Sequence, residues 1–177
     1  EERVAPFRPL VGAISHINFN NFGDLEQITN EVAGVVLETI QGGAGFIQPE
    51  HGWLAAVKKR CEEVGALLIL DEIQPGFGRT GTFFGFENYH VVPDVVVMGK
   101  GMGGGMPIGA FTASTAHMRL LSDNPKMGHI TTFGGHPVIA AAALATAKTI
   151  LDGELIQQTL EKEMLFRRLL KHDLITE

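Results

Sequence analysis

Two apolar runs in this sequence end in side chains that can carry out chemistry. The run GALLILDEI carries Asp71 and Glu72 near its end and is followed by Gln74, and the run PDVVVMGK ends in Lys100. Both runs are typical of buried parallel strands. Because the carboxyl ends of parallel strands meet at the edge of a sheet where ligands gather, Asp71, Glu72 and Gln74 are well placed for chemistry. We expect Lys100 to lie at the same edge.

The surroundings of Lys100 favour a chemical role for its amine. No other Asp, Glu, Lys or Arg lies between Asp94 and Arg119, and glycines flank the lysine on both sides. We therefore expect a half-buried lysine, whose neutral amine becomes accessible and can form a Schiff base with a carbonyl. Glycines allow a flat ring to approach the backbone, and Asp71 could keep a ring nitrogen protonated. The pattern predicts a pyridoxal 5'-phosphate site.

A glycine-rich loop, GHITTFGGHP (128–137), precedes a predicted helix and offers hydroxyl and backbone N–H donors. Such a loop suits a phosphate or another anion. The alternative is that Thr131 or Thr132 only caps the helix that follows. The sequence leaves both interpretations open, and we expect His136 to serve packing or hydrogen bonding.

Composition narrows the class of protein. The 177 residues carry a formal net charge of −6, with 45% hydrophobic and 19% charged residues, which is typical of one globular domain. Scattered basic residues argue against nucleic acid as a partner, and no apolar run reaches the roughly 18 residues that a membrane span needs. One cysteine, Cys61, fits a reducing, cytoplasmic compartment. Metal-ligand spacing is absent, so we predict no metal.

The order of elements predicts an α/β fold with a mostly parallel sheet and helices on both faces. Apolar, β-branched runs predict the strands, and 3.6-residue periodicity or Ala-rich composition predicts the helices. We predict strands at 32–40, 65–73, 93–100 and 107–114, and helices at 52–65, 136–151 and about 154–171.

The longest motif resembles the signature of class III aminotransferases, which are pyridoxal-phosphate enzymes of fold type I. It reads LLILDEIQPGFGRTGTFFGFENYHVVPDVVVMGKGMGGGMPIGAF (67–111), with VVLETIQGGAG before it and TTFGGHP after it. The resemblance implies transamination of an amino acid or ω-amino group, as in acetylornithine and ornithine aminotransferases. The substrates would be a small-molecule amino donor and a keto-acid acceptor. An aminomutase or racemase on the same scaffold, or a non-catalytic relative, remains the alternative.

The resemblance also implies roles for residues around the cofactor. Lys100 would form the Schiff base, and Asp71 would pair with the pyridine nitrogen. Gln74 would hydrogen-bond near the phenolic oxygen of the cofactor, and Ile73 would pack on one face of its ring.

Two further residues extend the implied site. Thr132 would reach the cofactor phosphate of the partner subunit, in a homodimer with shared active sites, and Glu38 would support the site near Gln74. Family members are about twice this length, so residues 1–177 are expected to form part of the large cofactor domain. The N-terminal part of that domain and the C-terminal small domain would be absent, and this segment would be inactive alone.

Overall fold

The computed structural model describes residues 5–9, 11–123, 126 and 129–172. These residues form a sheet of four strands in the order β1-β2-β3-β4, of which β1, β2 and β3 are parallel and β4 is antiparallel to β3. The mostly parallel sheet confirms the predicted α/β class. Each predicted strand is present and is shorter than its apolar run: β1 Gly34–Glu38, β2 Leu67–Asp71, β3 Val95–Gly99 and β4 Gly109–Ala113.

The three long helices were predicted, and the short ones were not. A helix of five residues or fewer is too short to show hydrophobic periodicity. No helix among the described residues is long and apolar enough to cross a membrane. The α-helices are α1 Trp53–Val64, α2 Thr115–Arg119, α3 Pro137–Asp152 and α4 Gln157–Leu169, and the 3-10 helices are Ala5–Phe7, Gly23–Gln27, Gly85–Tyr89 and Lys100–Gly103.

Helix α1 connects two parallel strands, β1 and β2, and its ends are set by glycine. Gly65 ends the helix with φ of 78°, a left-handed conformation that glycine adopts without strain. Its N–H bonds the carbonyls of the last turn. The chain then enters β2 at Leu67, which completes a βαβ unit.

The hydrophobic core lies between α1 and one face of the sheet. Its largest members are fully buried, and they come from α1 and β2. Since strand residues alternate between faces, Val36 of β1 points away from this core and is 66% exposed, whereas Val35 is 8% exposed. The central members of the core are Trp53, Leu54, Val57, Cys61, Leu68 and Leu70.

The two valines of β1 provide a matched test of this core. We expect Val35→Ala to lower the free energy of unfolding by about 2 kcal/mol, because it removes buried methyl groups and leaves a cavity. Val36→Ala should cost less than about 1 kcal/mol, since that side chain is largely exposed. Urea unfolding of both variants checks the difference, and equal losses would contradict the placement of the core.

Candidate active site

The carboxyl edge of the sheet gathers the predicted polar residues. Glu38 at the end of β1 pairs in register with Asp71 at the end of β2, and Asp71 pairs with Val97 of β3. Lys100 follows directly after β3, which ends at Gly99. The parallel register therefore brings two carboxylates and one amine to the same edge.

Lys100 stands at this edge in an unusual backbone conformation. Its φ is 43°, and it is the first residue of the 3-10 helix Lys100–Gly103. Its Nζ donates a hydrogen bond of 2.9 Å to Oε1 of Gln74. The expectation of a half-buried lysine is wrong for this chain, because the side chain leaves the end of the strand and is exposed.

A cavity of about 530 Å³ lies beside this pair. Ile73, Gln74 and Lys100 line it, so the structure brings three of the predicted residues together. Apolar walls next to one amine suit a small aromatic carbonyl compound. The remaining wall was not anticipated from the sequence and consists of Ile40, Gly42, Phe46, Pro75, Gly76, Arg79, Thr80 and Gly101.

Glu38 reaches the site indirectly, through the loop that follows β1. Its Oε2 accepts a hydrogen bond of 2.9 Å from the backbone N–H of Gly42. Reciprocal backbone hydrogen bonds of 2.9 and 3.1 Å between Gln41 and Ile47 close the loop. Gly42 lies so near Gln74 that a Cβ built on it would come within 2.5 Å of Nε2. Glu38 thus holds this loop against Gln74, the hydrogen-bond partner of Lys100.

Asp71 is half-buried and shapes the turn that carries Ile73 and Gln74. Its Oδ1 accepts a hydrogen bond of 2.9 Å from the backbone N–H of Ile73. Asp71 lies at the same sheet edge as Lys100, but it does not line the 530 Å³ cavity. The carboxylate therefore fixes the start of the turn on which Gln74 stands.

Glu72 points in the opposite direction and does not join the site. Its carboxylate is fully buried and accepts hydrogen bonds from Thr39 Oγ1, Gly85 N at 2.7 Å and Phe86 N at 3.0 Å. Burial raises the pKa of Glu72, although these hydrogen bonds act against the rise. The alternation of successive residues explains why Asp71 faces the site and Glu72 faces the interior.

Thr132 lies on a second cavity, of about 640 Å³, between the start of β4 and the loop before α3. The two cavities share no lining residue, so Thr132 and Lys100 line different cavities of this chain. His136 occupies the N-cap position of α3, and its side chain makes no capping hydrogen bond. Neither Thr131 nor Thr132 is therefore the N-cap residue of α3.

No three His, Cys, Asp or Glu side chains converge as metal ligands in the part of the chain that the structure describes.

A family model described as aminotransferase class-III matches residues 6–174. The chain belongs to the class III aminotransferase family. Enzymes of this family use pyridoxal phosphate. The mostly parallel sheet described above is that of the fold type I aminotransferases to which the similar structures belong.

Solved structures of aminotransferases resemble this chain over most of its length. An ornithine aminotransferase from Toxoplasma gondii, with partial occupancy of pyridoxal phosphate at its active site, is 31% identical with a TM-score of 0.83. An N-acetylornithine aminotransferase from Stenotrophomonas maltophilia is 35% identical with a TM-score of 0.77. An S-selective transaminase from Arthrobacter sp., with alanine bound, is 34% identical with a TM-score of 0.73.

The matches cover 97%, 90% and 81% of this chain, respectively. They cover 42%, 41% and 31% of the three enzymes, so this class III chain spans less than half of the length of each.

The pH dependence of the free energy of unfolding tests the role of the buried Glu72, which supports the turn that carries Gln74. Because the pKa of Glu72 is raised above the ordinary 4.5, the folded state retains a proton that the unfolded state loses. The stabilising effect of that proton is complete below pH 4.5 and disappears as the pH rises through the folded pKa. The free energy of unfolding of the wild type, minus that of Glu72→Gln, should therefore fall with rising pH, by at most about 1.4 kcal/mol per unit.

Urea unfolding at a series of pH values above 4.5 measures this difference. Glu63→Gln, which removes a partly exposed carboxylate from α1, controls for the loss of one charge. A difference that stays flat, or that rises with pH, would contradict the assignment of Glu72 as a buried group with a raised pKa.

Proposed function

We propose that this chain carries the lysine of a pyridoxal-phosphate-dependent aminotransferase of the acetylornithine or ornithine type. The enzyme would move an amino group from an amino acid or ω-amino donor to a keto acid. The observation that carries the proposal is the hydrogen bond of 2.9 Å between Lys100 Nζ and Gln74 Oε1, at the mouth of a cavity on the carboxyl edge of the sheet. Membership in the class III family supports the same reaction.

The residues present fit the cofactor. Lys100 offers a primary amine, the group that an aldehyde requires, and this exposed residue lines the cavity. Ile73 gives the cavity an apolar wall against which a flat ring can pack. Asp71 lies at the same edge of the sheet without lining the cavity, and its carboxylate has the chemistry that a protonated ring nitrogen requires.

In this proposal each side chain has a distinct task. Bound pyridoxal phosphate supplies the electron sink for the bond at the substrate Cα. Lys100 would hold the cofactor through its amine and would carry the proton removed from the substrate Cα. Asp71 keeps the ring nitrogen protonated, and Gln74 orients the amine and the neighbouring oxygen of the ring. Ile73 limits the movement of the ring.

We propose further that residues 1–177 are part of the large cofactor domain of a longer enzyme. The support is the coverage of the three similar structures, of which this chain spans 42%, 41% and 31%. The remaining phosphate donors and the groups that choose the substrate would then come from outside these residues. Experiments on activity therefore use the full-length protein.

We also propose a homodimer in which each subunit completes the site of the other. The arrangement is supported by the lining of the two cavities: Thr132 and Lys100 line different ones, which leaves the threonine hydroxyl available to a cofactor phosphate of another copy. The loop that bears Thr132 also presents the backbone N–H groups at the start of α3, which favour an anion.

A cytoplasmic location completes the proposal. Cys61 is buried in the core, and burial raises the pKa of its thiol to about 11, so the thiol is structural rather than reactive. A single buried thiol suits a reducing compartment.

The amine of Lys100 is tested by substitution in the full-length protein. Lys100→Ala should lower kcat by at least about 10²–10⁴-fold, because that is the contribution of a positioned acid–base group. Lys59→Ala, which removes an exposed lysine of α1, is the control and should leave kcat unchanged. Steady-state assays with a panel of amino donors provide the measurement. Appreciable turnover by Lys100→Ala, in a protein whose circular dichroism matches the wild type, would overturn the proposed function.

The shared site is tested with hybrid dimers. Lys100→Ala and Thr132→Val should each be impaired alone, since every site lacks either the lysine or the threonine. In a mixed dimer, one site would combine the intact Lys100 of one subunit with the intact Thr132 of the other. Unfolding and refolding the two variants together should therefore restore part of the activity. Activity no higher than that of the separate variants would exclude sharing of these two residues.

A further inference from the structure

Among the described glycines, Gly42 lies closest to Gln74, the side chain that accepts the hydrogen bond from Lys100. A Cβ built on Gly42 would come within 2.5 Å of Nε2, 2.6 Å of Cδ and 2.7 Å of Oε1 of Gln74. Real Cβ atoms essentially never come that near another heavy atom, so the side-chain amide occupies the space that any residue other than glycine would need.

We propose that Gly42 is a positioning residue, which aims the amide of Gln74 at the amine of Lys100. The proposal rests on the proposed function for its catalytic meaning, since Lys100 is the cofactor-bearing residue there. The contacts that define it are independent of any cofactor: the amide of Gln74 packs on Gly42, and its Oε1 accepts from Lys100 Nζ at 2.9 Å.

The loop that carries Gly42 is held in place from below. Oε2 of Glu38, at the end of β1, accepts a hydrogen bond of 2.9 Å from the backbone N–H of Gly42. Paired backbone hydrogen bonds between Gln41 and Ile47 close the loop. A carboxylate that accepts a backbone N–H makes a strong, charge-assisted hydrogen bond. The backbone of Gly42 thereby links the end of β1 to the side chain of Gln74.

Space, rather than backbone conformation, is what requires glycine here. Gly42 is absent from the described glycines with positive φ, so alanine could adopt its backbone angles. The atoms that an alanine would displace belong to the end of a flexible glutamine side chain. Gln74 can rotate away at little cost to folding, but its carbonyl oxygen then no longer faces Lys100. Gly42→Ala should therefore change the reactivity of the Lys100 amine and have little effect on the free energy of unfolding.

The adjacent residue offers a matched control. Gly43 also lacks a positive φ, and a Cβ built on it meets nothing within 4 Å. Gly43→Ala introduces the same methyl group one position further along the same loop, without touching Gln74.

The test is competitive trace acetylation of the cofactor-free full-length protein, read by peptide mass mapping with Lys59 as internal reference. Loss of the hydrogen bond to Gln74 frees the Lys100 amine, so labelling in Gly42→Ala should rise by about two- to tenfold, the effect of one net hydrogen bond. Gly43→Ala should match the wild type. Gln74→Ala should show the same rise, and adding Gly42→Ala to it should change nothing further.

Unchanged labelling of Lys100 in Gly42→Ala would overturn the proposal. So would an effect of Gly42→Ala that persists in the Gln74→Ala background, because the glycine would then act by another route. In the cofactor-loaded protein, Gly42→Ala should shift the pH midpoint of the visible absorbance band while Gly43→Ala leaves it in place. A wild-type protein without a visible band would refute the proposed function, whereas the labelling experiment still decides the role of Gly42.

Discussion

The hydrogen bond between Lys100 and Gln74 is the contact on which the candidate site depends. It exists because two neighbouring parallel strands end at the same edge, one in a turn that presents a glutamine and the other in a lysine with φ of 43°. A left-handed conformation is costly for a residue with a Cβ, and such strain occurs most often where function requires it. Gly99 and Gly101 on either side of Lys100 add no side-chain bulk, so the amine can stand at the mouth of the cavity.

Side chains of the DEIQ turn (71–74) point to opposite sides, so its residues have different roles. Asp71 and Gln74 serve the sheet edge, while Glu72 turns inward and binds Thr39 together with the backbone of Gly85 and Phe86. A buried carboxylate with three hydrogen-bond donors fixes its own strand end to the segment that follows. Hydrogen bonds of the buried Glu72 thus anchor the turn that carries the site residues, and a positioned amide needs such support.

The sequence predicted the scaffold better than it predicted the details of the site. Val-rich and Leu-rich runs and helical periodicity identified the four strands and the long helices, because both signals are local. The same strands placed Asp71 and Lys100 at one edge. The exposure of Lys100 and the contact of Gly42 with Gln74 could not be predicted, because they depend on how two separate segments, the loop after β1 and the turn after β2, fold next to the lysine. Glu72 looked equivalent to Asp71 in the sequence, and the structure separates the two by burial and by hydrogen-bond partners.

The decisive measurement is covalent trapping of the cofactor in the full-length protein. Borohydride reduction followed by proteolysis and mass spectrometry should locate the mass of a reduced pyridoxyl phosphate group on the peptide that contains Lys100, with the visible absorbance lost at the same time. Cofactor mass on a different lysine, or a protein that is colourless and gains no mass, would contradict the assignment of Lys100 as the residue that holds the cofactor.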